Sequence, residues 1–236
     1  MKSYLRKKPK NLILSMIYKV GNLLPISSIN KFKLFAKLQW IFWRMAREQV
    51  NNLYSINENP YSQKTIDFLK NDISKNDSIL DLGCGDGLIS YLSSFYCKSI
   101  IGIDYDKKLI SDAKLKYKEI NNIKFKVGII PDIFENDFQF FDLIICSHII
   151  EHIDDYESLL NQIRKYGKKI FIEVPDFDSN DLNFPKKKFN VEPTYTDADH
   201  IHEFDRSELL NFFNKNNFTL VKEEYKDCVM RFIINC

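Results

Sequence analysis

From about residue 61 onward, short apolar runs alternate with amphipathic segments. The runs are continuous and rich in Ile, Leu, Phe and Val, as in parallel strands that helices cover on both faces. The pattern therefore predicts an α/β fold, a doubly wound Rossmann-like sheet. The predicted strands cover residues 78–82, 99–104, 123–127, 141–146, 169–174, 219–225 and 229–235, and the predicted helices cover 87–96, 107–120, 156–166 and 207–214.

The last two predicted strands are joined only by Lys226 and Asp227. A two-residue connection is typical of a hairpin, because parallel strands need a longer crossover. We therefore expect the sheet to close on an antiparallel strand and residues 61–236 to form one domain.

Residues 1–60 predict a separate helical extension, with an amphipathic helix over 31–50. One interpretation is a helix packed on the domain as a lid, and the other is a helix lying on an anionic membrane or binding an anionic substrate. Its predicted apolar face contains Leu34, Leu38, Ile41, Phe42 and Met45, and its polar face contains Lys33, Lys37, Arg44, Arg47 and Glu48 together with Trp40.

Charge is unevenly distributed along the chain. Residues 1–50 contain eight Lys and three Arg against the single Glu48, whereas the whole chain has a net charge of +2. This basic segment is compatible with membrane-surface contact through residues 1–50, which stays one of the two interpretations. Nucleic acid is the less favoured partner, because the basic residues follow an amphipathic helix and are not interleaved with aromatics along a groove.

Composition also bears on the compartment. The chain has 236 residues, of which 44% are hydrophobic, and its five cysteines form an odd set without a CxxC pair. These features indicate a folded protein without a disulfide framework or zinc ribbon. The apolar run 11–18 is cut short by Lys19 and Gly21, and no run approaches a membrane span. We therefore predict a cytoplasmic protein, with peripheral membrane association left open.

A glycine-rich turn follows the first predicted strand, in the sequence LDLGCGDG at residues 80–87. Glycines there allow a sharp turn and a close approach of the backbone to a ligand. Asp104 ends the next strand, where a carboxylate can bind ribose hydroxyls. A dinucleotide is disfavoured because the third glycine comes one position early and because Asp81 and Asp86 would repel a pyrophosphate. The acidic residues instead suit the cationic sulfonium of S-adenosylmethionine.

These residues resemble the motifs of a known family. LDLGCGDG is similar to motif I of the class I S-adenosylmethionine-dependent methyltransferases, and GIDYD at 102–106 resembles their second motif. FDLIICSHIIEHIDD at 141–155 and HIHEFDRSELLNFF at 200–213 resemble the branch that contains ubiquinone-type and glycan-modifying O-methyltransferases. The resemblance implies a seven-stranded sheet with an antiparallel last strand and S-adenosylmethionine as cofactor.

The resemblance also implies roles for individual residues. Asp104 would hold the ribose with Tyr105 beside the adenine, and Asp81 would face the amino group of the methionine part. Where relatives often carry an acidic residue near the adenine, this chain has Ile129 and Ile130, which would sandwich the ring. The implied cofactor-binding residues are Asp81, Gly83, Cys84, Gly85, Gly87, Asp104, Tyr105, Ile129, Ile130 and Ser147.

All four histidines follow predicted strands four and five, at the ligand-binding edge of such a sheet. They could brace loops, supply a general base, or bind a metal together with a carboxylate. We choose His152 as the catalytic base, with His148 second, and predict no metal.

The segment 175–205 is polar and contains three prolines and the run Lys186–Lys188. It predicts an irregular loop that covers the substrate. Its three lysines either meet an anionic acceptor, such as a phosphorylated or nucleotide-linked sugar, or form a solvated charge run. We expect methyl transfer to a small molecule or saccharide, at oxygen. The alternatives are an enzyme acting on RNA or protein and a non-catalytic cofactor-binding subunit.

Overall fold

The computed structural model describes residues 11–55, 58–130, 132–134, 139–192, 197 and 199–236. Part of the predicted basic arm, residues 1–10, therefore lies outside the described residues. In sequence order the strands are β1 Ser78–Leu82, β2 Ser99–Asp104, β3 Ile123–Val127, β4 Phe141–Ser147, β5 Gly167–Pro175, β6 Thr219–Lys226 and β7 Val229–Asn235.

The seven strands form one sheet in the order β3-β2-β1-β4-β5-β7-β6. Strands β1 to β5 pair in parallel, and β7 runs antiparallel to both of its neighbours. The order reverses between β1 and β4, so the carboxyl ends of these strands border the crevice where such sheets bind ligands. The predicted seven-stranded sheet with an antiparallel last strand is confirmed.

Helices cover both faces of the sheet. On β1, Ile79 packs with Leu69 on one face, whereas its neighbour Leu80 packs with Leu160 and Phe213 on the other. This alternation follows from the two-residue period of a strand, and both faces are buried because each has its own helical layer. The helices are α1 Leu12–Leu23, α2 Ser28–Leu53, α3 Pro60–Leu69, α4 Leu88–Ser94, α5 Lys107–Lys116, α6 Tyr156–Ile163, α7 Asn183–Lys188 and α8 Arg206–Lys215.

The prediction of an irregular loop over 175–205 is wrong in part. The segment contains a short 3₁₀ turn, Phe177–Ser179, and the helix α7. Asp176 caps the turn by accepting a hydrogen bond from the backbone N–H of Asp178, and Asn183 donates from its side chain to the carbonyl of Phe177. These local polar contacts order a stretch whose composition lacks a strong helical period.

The predicted helix over 31–50 is present in α2, and its predicted apolar face is largely exposed. The apolar side chains of Leu34, Ile41, Phe42 and Met45 are 40–63% exposed. The opposite face contacts the domain, since Arg44 forms an ion pair with Asp197. A helical period defines an apolar stripe but does not decide which neighbour the stripe meets.

The helix α1 has no buried residue and is capped by Asn11, whose side chain accepts a hydrogen bond from the N–H of Leu14. Its apolar side chains are widely exposed: Leu12 by 83%, Ile13 by 68% and Ile17 by 60%. In the part of the chain that the structure describes, no helix combines the length and apolar character needed to cross a membrane.

Candidate active site

The glycine turn lies between β1 and α4, at the reversal of the strand order. Gly83, Gly85 and Gly87 all have a positive φ, at 66°, 53° and 79°. A Cβ on Gly83 would come within 2.6 Å of Ile149 Cδ1, so glycine is needed there for conformation and for space. A Cβ on Gly85 would meet no heavy atom within 4 Å, so the turn borders open space at this point.

Asp104 connects the tip of β2 to this turn. Its carboxylate accepts a hydrogen bond from the N–H of Gly85 at 2.9 Å and another from the N–H of Asp106 at 2.9 Å. The neighbouring Tyr105 is 73% exposed, and Ile129, which follows β3, is 61% exposed. Ile130, by contrast, packs partly buried against the core. Of the two predicted isoleucines, Ile129 therefore has the more accessible side chain.

Asp81 lies beneath the turn and is buried. The hydroxyl of Ser90 donates to its carboxylate at 2.6 Å, which joins β1 to α4. Burial raises the pKa of Asp81 to about 7, and the charge of Asp104 adds to this, while the hydrogen bond from Ser90 opposes it. A nearby cation would favour the ionised form of this carboxyl group. The thiol of the neighbouring Cys84 is also buried, and burial raises its pKa.

A buried polar network lies at the carboxyl end of β4. The carboxylate of Glu173 accepts hydrogen bonds from Ser147 Oγ at 2.8 Å and Thr65 Oγ1 at 2.9 Å. It also forms an ion pair with Arg231, in which both side chains are 3% exposed. The network fixes the position of Ser147. Because His148 is the next residue, the network also fixes the start of the loop that contains His148.

His148 has a strained backbone, with φ at 53°. Its Nδ1 lies 3.1 Å from Glu151 Oε1 and its Nε2 lies 3.6 Å from Glu173 Oε1. Burial lowers the pKa of His148 and Arg47 acts in the same direction, but the hydrogen bond to Glu151 and the charges of Glu173 and Glu151 outweigh them. The pKa of His148 therefore lies above its ordinary value.

His152 and His200 form a second cluster near the first. Their rings are 4.8 Å apart, with His152 Nδ1 3.2 Å from the carbonyl of Asp199 and His200 Nδ1 3.0 Å from Glu203 Oε1. Glu151, His152 and His200 each offer one ligand atom, and these atoms lie within 4.8 Å of one another. That spacing suits a metal ion. Metal binding was one of the three roles considered for the histidines, and the absence of a metal stays a prediction.

Three clefts meet at His148 and Arg47. The first, here called the α2 cavity, has a volume of about 260 Å³, and the clefts beside it measure about 490 Å³ and 360 Å³. The second cleft reaches Asp86 and Ser147, next to the glycine turn, and the third reaches His152 and His200. His148 therefore borders every one of these clefts, whereas His152 borders only the third. The residues lining the α2 cavity include Gln39, Trp40, Trp43, Arg47, His148, Asp176, Asp181, Asn183 and Lys186.

Several residues of this region were missing from the predicted site, namely Arg47, Thr65, Glu151, Glu173 and Arg231. Two of them carry a signal in the sequence. Glu173 and Arg231 each interrupt an otherwise apolar, buried run within a strand, residues 170–175 of β5 and 229–234 of β7. A charge in such a run needs a partner and therefore indicates a buried ion pair or a site.

A family model described as a methyltransferase domain matches residues 43–223. The ubiquinone biosynthesis O-methyltransferase of Pelagibacter ubique is 30% identical over 163 residues, which cover 63% of this chain and 64% of that protein. The enzyme of the same name from Rickettsia bellii is 34% identical over 151 residues, 61% of each chain. The chain thus spans somewhat less than two thirds of the length of these curated relatives.

Solved structures show the same fold at lower identity. The magnesium protoporphyrin IX methyltransferase of Synechocystis PCC 6803 with bound SAH has a TM-score of 0.55 and 14% identity, covering 74% of this chain and 80% of that one. The PH0226 protein of Pyrococcus horikoshii has a TM-score of 0.53 and 21% identity, covering 77% and 93%. Together with the family match over most of the chain, these findings show that the chain belongs to the class I S-adenosylmethionine-dependent methyltransferase family.

Proposed function

We propose that this protein transfers a methyl group from S-adenosylmethionine to an oxygen atom of a small-molecule acceptor. The observation that carries the proposal is the joining of the glycine turn to Asp104, beside a cleft that leads to His148. The names of the O-methyltransferase relatives support oxygen as the acceptor atom.

The residues of the turn fit the cofactor. Gly83 has no space for a side chain and Gly85 borders open space, so backbone N–H groups there can approach the methionine part. Asp104 would hold the ribose, with Tyr105 and Ile129 beside the adenine. The further residues proposed to bind the cofactor are Asp81, Cys84, Gly87, Ile130 and Ser147. When bound, S-adenosylmethionine supplies an electrophilic methyl group.

The protein's own residues would orient the acceptor and move its proton. A hydroxyl acceptor must be placed in line with the methyl group and lose a proton, for which a base adds ~10²–10⁴-fold. Both His152 and His148 were candidates. The geometry favours His148, because it follows Ser147 directly and borders the cleft next to the glycine turn.

The narrower prediction of a saccharide acceptor remains part of the proposal. The indoles of Trp40 and Trp43 and the amides of Gln39 and Asn183 line the α2 cavity. Indole rings provide flat apolar surfaces, and side-chain amides both donate and accept hydrogen bonds. This combination suits a polyhydroxylated ring.

The function is tested by incubating the full chain with methyl-labelled S-adenosylmethionine and a panel of phenolic and sugar hydroxyl acceptors. We expect S-adenosylhomocysteine to form in step with a methyl ether on at least one of them. Cofactor binding with no product from any acceptor would instead support the non-catalytic alternative.

For the cofactor site, replacing Asp104 by alanine is expected to weaken S-adenosylmethionine binding at least about tenfold, since hydrogen bonds to a charged group contribute ~1.5–3 kcal/mol. Isothermal titration calorimetry measures the affinity, and thermal unfolding checks that the fold is retained. Asp112→Ala is the control, because Asp112 is an exposed carboxylate on α5. An Asp104→Ala affinity equal to that of wild type would contradict the ribose assignment.

We further propose that α1 binds an anionic membrane surface. Its exposed apolar residues can enter the interface, and the excess of basic residues over Glu48 within residues 1–50 complements anionic lipid. The double variant Ile13→Glu/Ile17→Glu is expected to abolish co-sedimentation with phosphatidylglycerol vesicles. Leu115→Glu, on the equally exposed Leu115 of α5, should bind like wild type. Undiminished sedimentation of the double variant would rule out this surface.

A further inference from the structure

The α2 cavity contains two cations that the catalytic proposal does not use. Lys186 enters it from α7 and Arg47 from α2, and His148 lies in the same wall. The cavity therefore places two basic side chains in the same wall as the proposed base.

Lys186 is only 3% exposed, unlike its neighbours Lys187 and Lys188, which are exposed. Burying an ammonium group is costly unless it gains a partner. Among the residues that the structure describes, none forms a hydrogen bond or an ion pair with the Lys186 side chain. Burial lowers the pKa of Lys186, and the charge of Glu203 opposes this only in part. Glu203 itself is engaged by His200 at 3.0 Å.

Arg47 is held by aromatic rings. Its guanidinium carbon lies 5.3 Å from the ring centre of Trp43 and 4.9 Å from that of Tyr61. Stacking of this kind fixes the plane of the guanidinium but leaves its N–H donors at the edge free. No described carboxylate lies within ion-pair distance of Arg47, whereas the neighbouring Arg44 pairs with both Glu48 and Asp197.

The acidic residues of the cavity do not neutralise these two cations. Asp176 forms an ion pair with Arg206 at 2.6 Å. Asp181 is exposed at the rim. A buried ammonium and an oriented guanidinium, neither with an anionic partner among the described residues, are the arrangement expected of a site for an anionic oxygen group.

We propose that the α2 cavity is an acceptor subsite in which Arg47 and Lys186 bind a carboxylate or phosphate group of the methyl acceptor. The inference rests on the proposed function, because it assigns the α2 cavity to the acceptor. The indoles of Trp40 and Trp43 contact the body of the acceptor, and the anionic group holds that body against His148. The acceptor is then an anionic aromatic compound or an anionic sugar.

Binding is measured directly by calorimetry on the full chain saturated with S-adenosylhomocysteine, using two pairs of probes. Benzoate is compared with benzyl alcohol, and glucose 6-phosphate with glucose, so that each pair shares a body and differs in charge. We expect at least one anion to bind at least tenfold more tightly than the neutral compound of its pair. The pair that shows the difference identifies the class of acceptor.

Two variants assign that preference to the cavity. Arg47→Gln and Lys186→Met are each expected to weaken binding of the preferred anion at least tenfold while leaving the affinity for S-adenosylhomocysteine unchanged. Lys37→Gln on α2 and Lys188→Met on α7 remove exposed charges from the same helices and should leave anion binding unchanged. The proposal would be overturned by any of three results: equal affinity for the charged and the neutral compound of each pair, no binding of either anion, or wild-type anion affinity in Lys186→Met. Failure of the proposed function would instead appear as lost cofactor binding or absent methyl transfer.

Discussion

Replacing Arg231 by methionine is expected to lower the free energy of unfolding by about 3–5 kcal/mol, because it removes one partner of a buried ion pair. Glu173 would retain its hydrogen bonds from Thr65 and Ser147 but would lose the buried guanidinium that forms an ion pair with it. Methionine fills much of the same volume, so the loss reports the uncompensated charge and not a cavity. Urea unfolding followed by circular dichroism measures the change.

Two further variants separate the charge effect from a general loss of packing. Lys70→Met breaks the exposed pair of Lys70 with Asp67 and should cost less than about 1 kcal/mol. The double variant Glu173→Gln/Arg231→Met removes both charges and should recover part of the stability lost in Arg231→Met. A stability of Arg231→Met within about 1 kcal/mol of wild type would show that the pair is not a stabilising element.

The sheet could be predicted because its central strands β1, β4 and β5 are buried on both faces. A run such as 78–82 lacks a regular alternation of polar and apolar residues, and the glycine or charged residues next to such a run mark its ends. The predicted bounds of β1, β2, β3 and β7 agree with the structure. The glycine turn and Asp104 were equally readable, since positive φ and a strand-tip carboxylate leave a local signature in the sequence.

The polar network could not be predicted, because it depends on which strands are neighbours. Glu173 and Arg231 are 58 residues apart and become direct cross-strand partners only when β7 inserts beside β5. Thr65 reaches the same carboxylate from α3. A local pattern shows that a charge in an apolar run needs a partner, but only the register of the sheet identifies that partner.

The same limit applies to the acceptor side of the site. The period of α2 gave an apolar and a charged face, and the structure places Trp40 and Arg47 of the charged face against the α2 cavity. The run of three lysines gave no sign that Lys186 alone is buried. Both facts follow from how α2 and α7 dock, which depends on tertiary contacts such as the edge-to-face pair of Phe32 and Phe189.

The domain boundary at residue 60 stays a prediction.

Replacing His148 by glutamine is expected to lower kcat by ~10²–10⁴-fold, equivalent to ~2.7–5.5 kcal/mol of transition-state stabilisation, while cofactor affinity is retained. Glutamine keeps a polar side chain of similar length but cannot accept the proton of the acceptor hydroxyl. The measurement is the rate of S-adenosylhomocysteine formation with saturating acceptor. His152→Gln distinguishes the two candidate bases, and a larger loss in His152→Gln would restore His152 to that role. His202→Gln serves as the control, because the Nε2 of His202 faces the carbonyls of Ile153 and Asp154.

The pH dependence tests the mechanism independently of the size of the loss. A base must be neutral to accept a proton, and the pKa of His148 lies above 6.5 because Glu151 and Glu173 stabilise its charged form against burial and Arg47. The wild-type kcat should therefore rise with pH through a value above 6.5. Glu151→Gln removes one of the two stabilising charges, so the rising limb of the kcat profile should move to lower pH. Relative to wild type, the kcat of this variant should therefore fall less at pH values below the wild-type limb than at values above it. A structural role for Glu151 would lower kcat at every pH without moving the limb, and an unmoved limb would contradict His148 as the group that titrates.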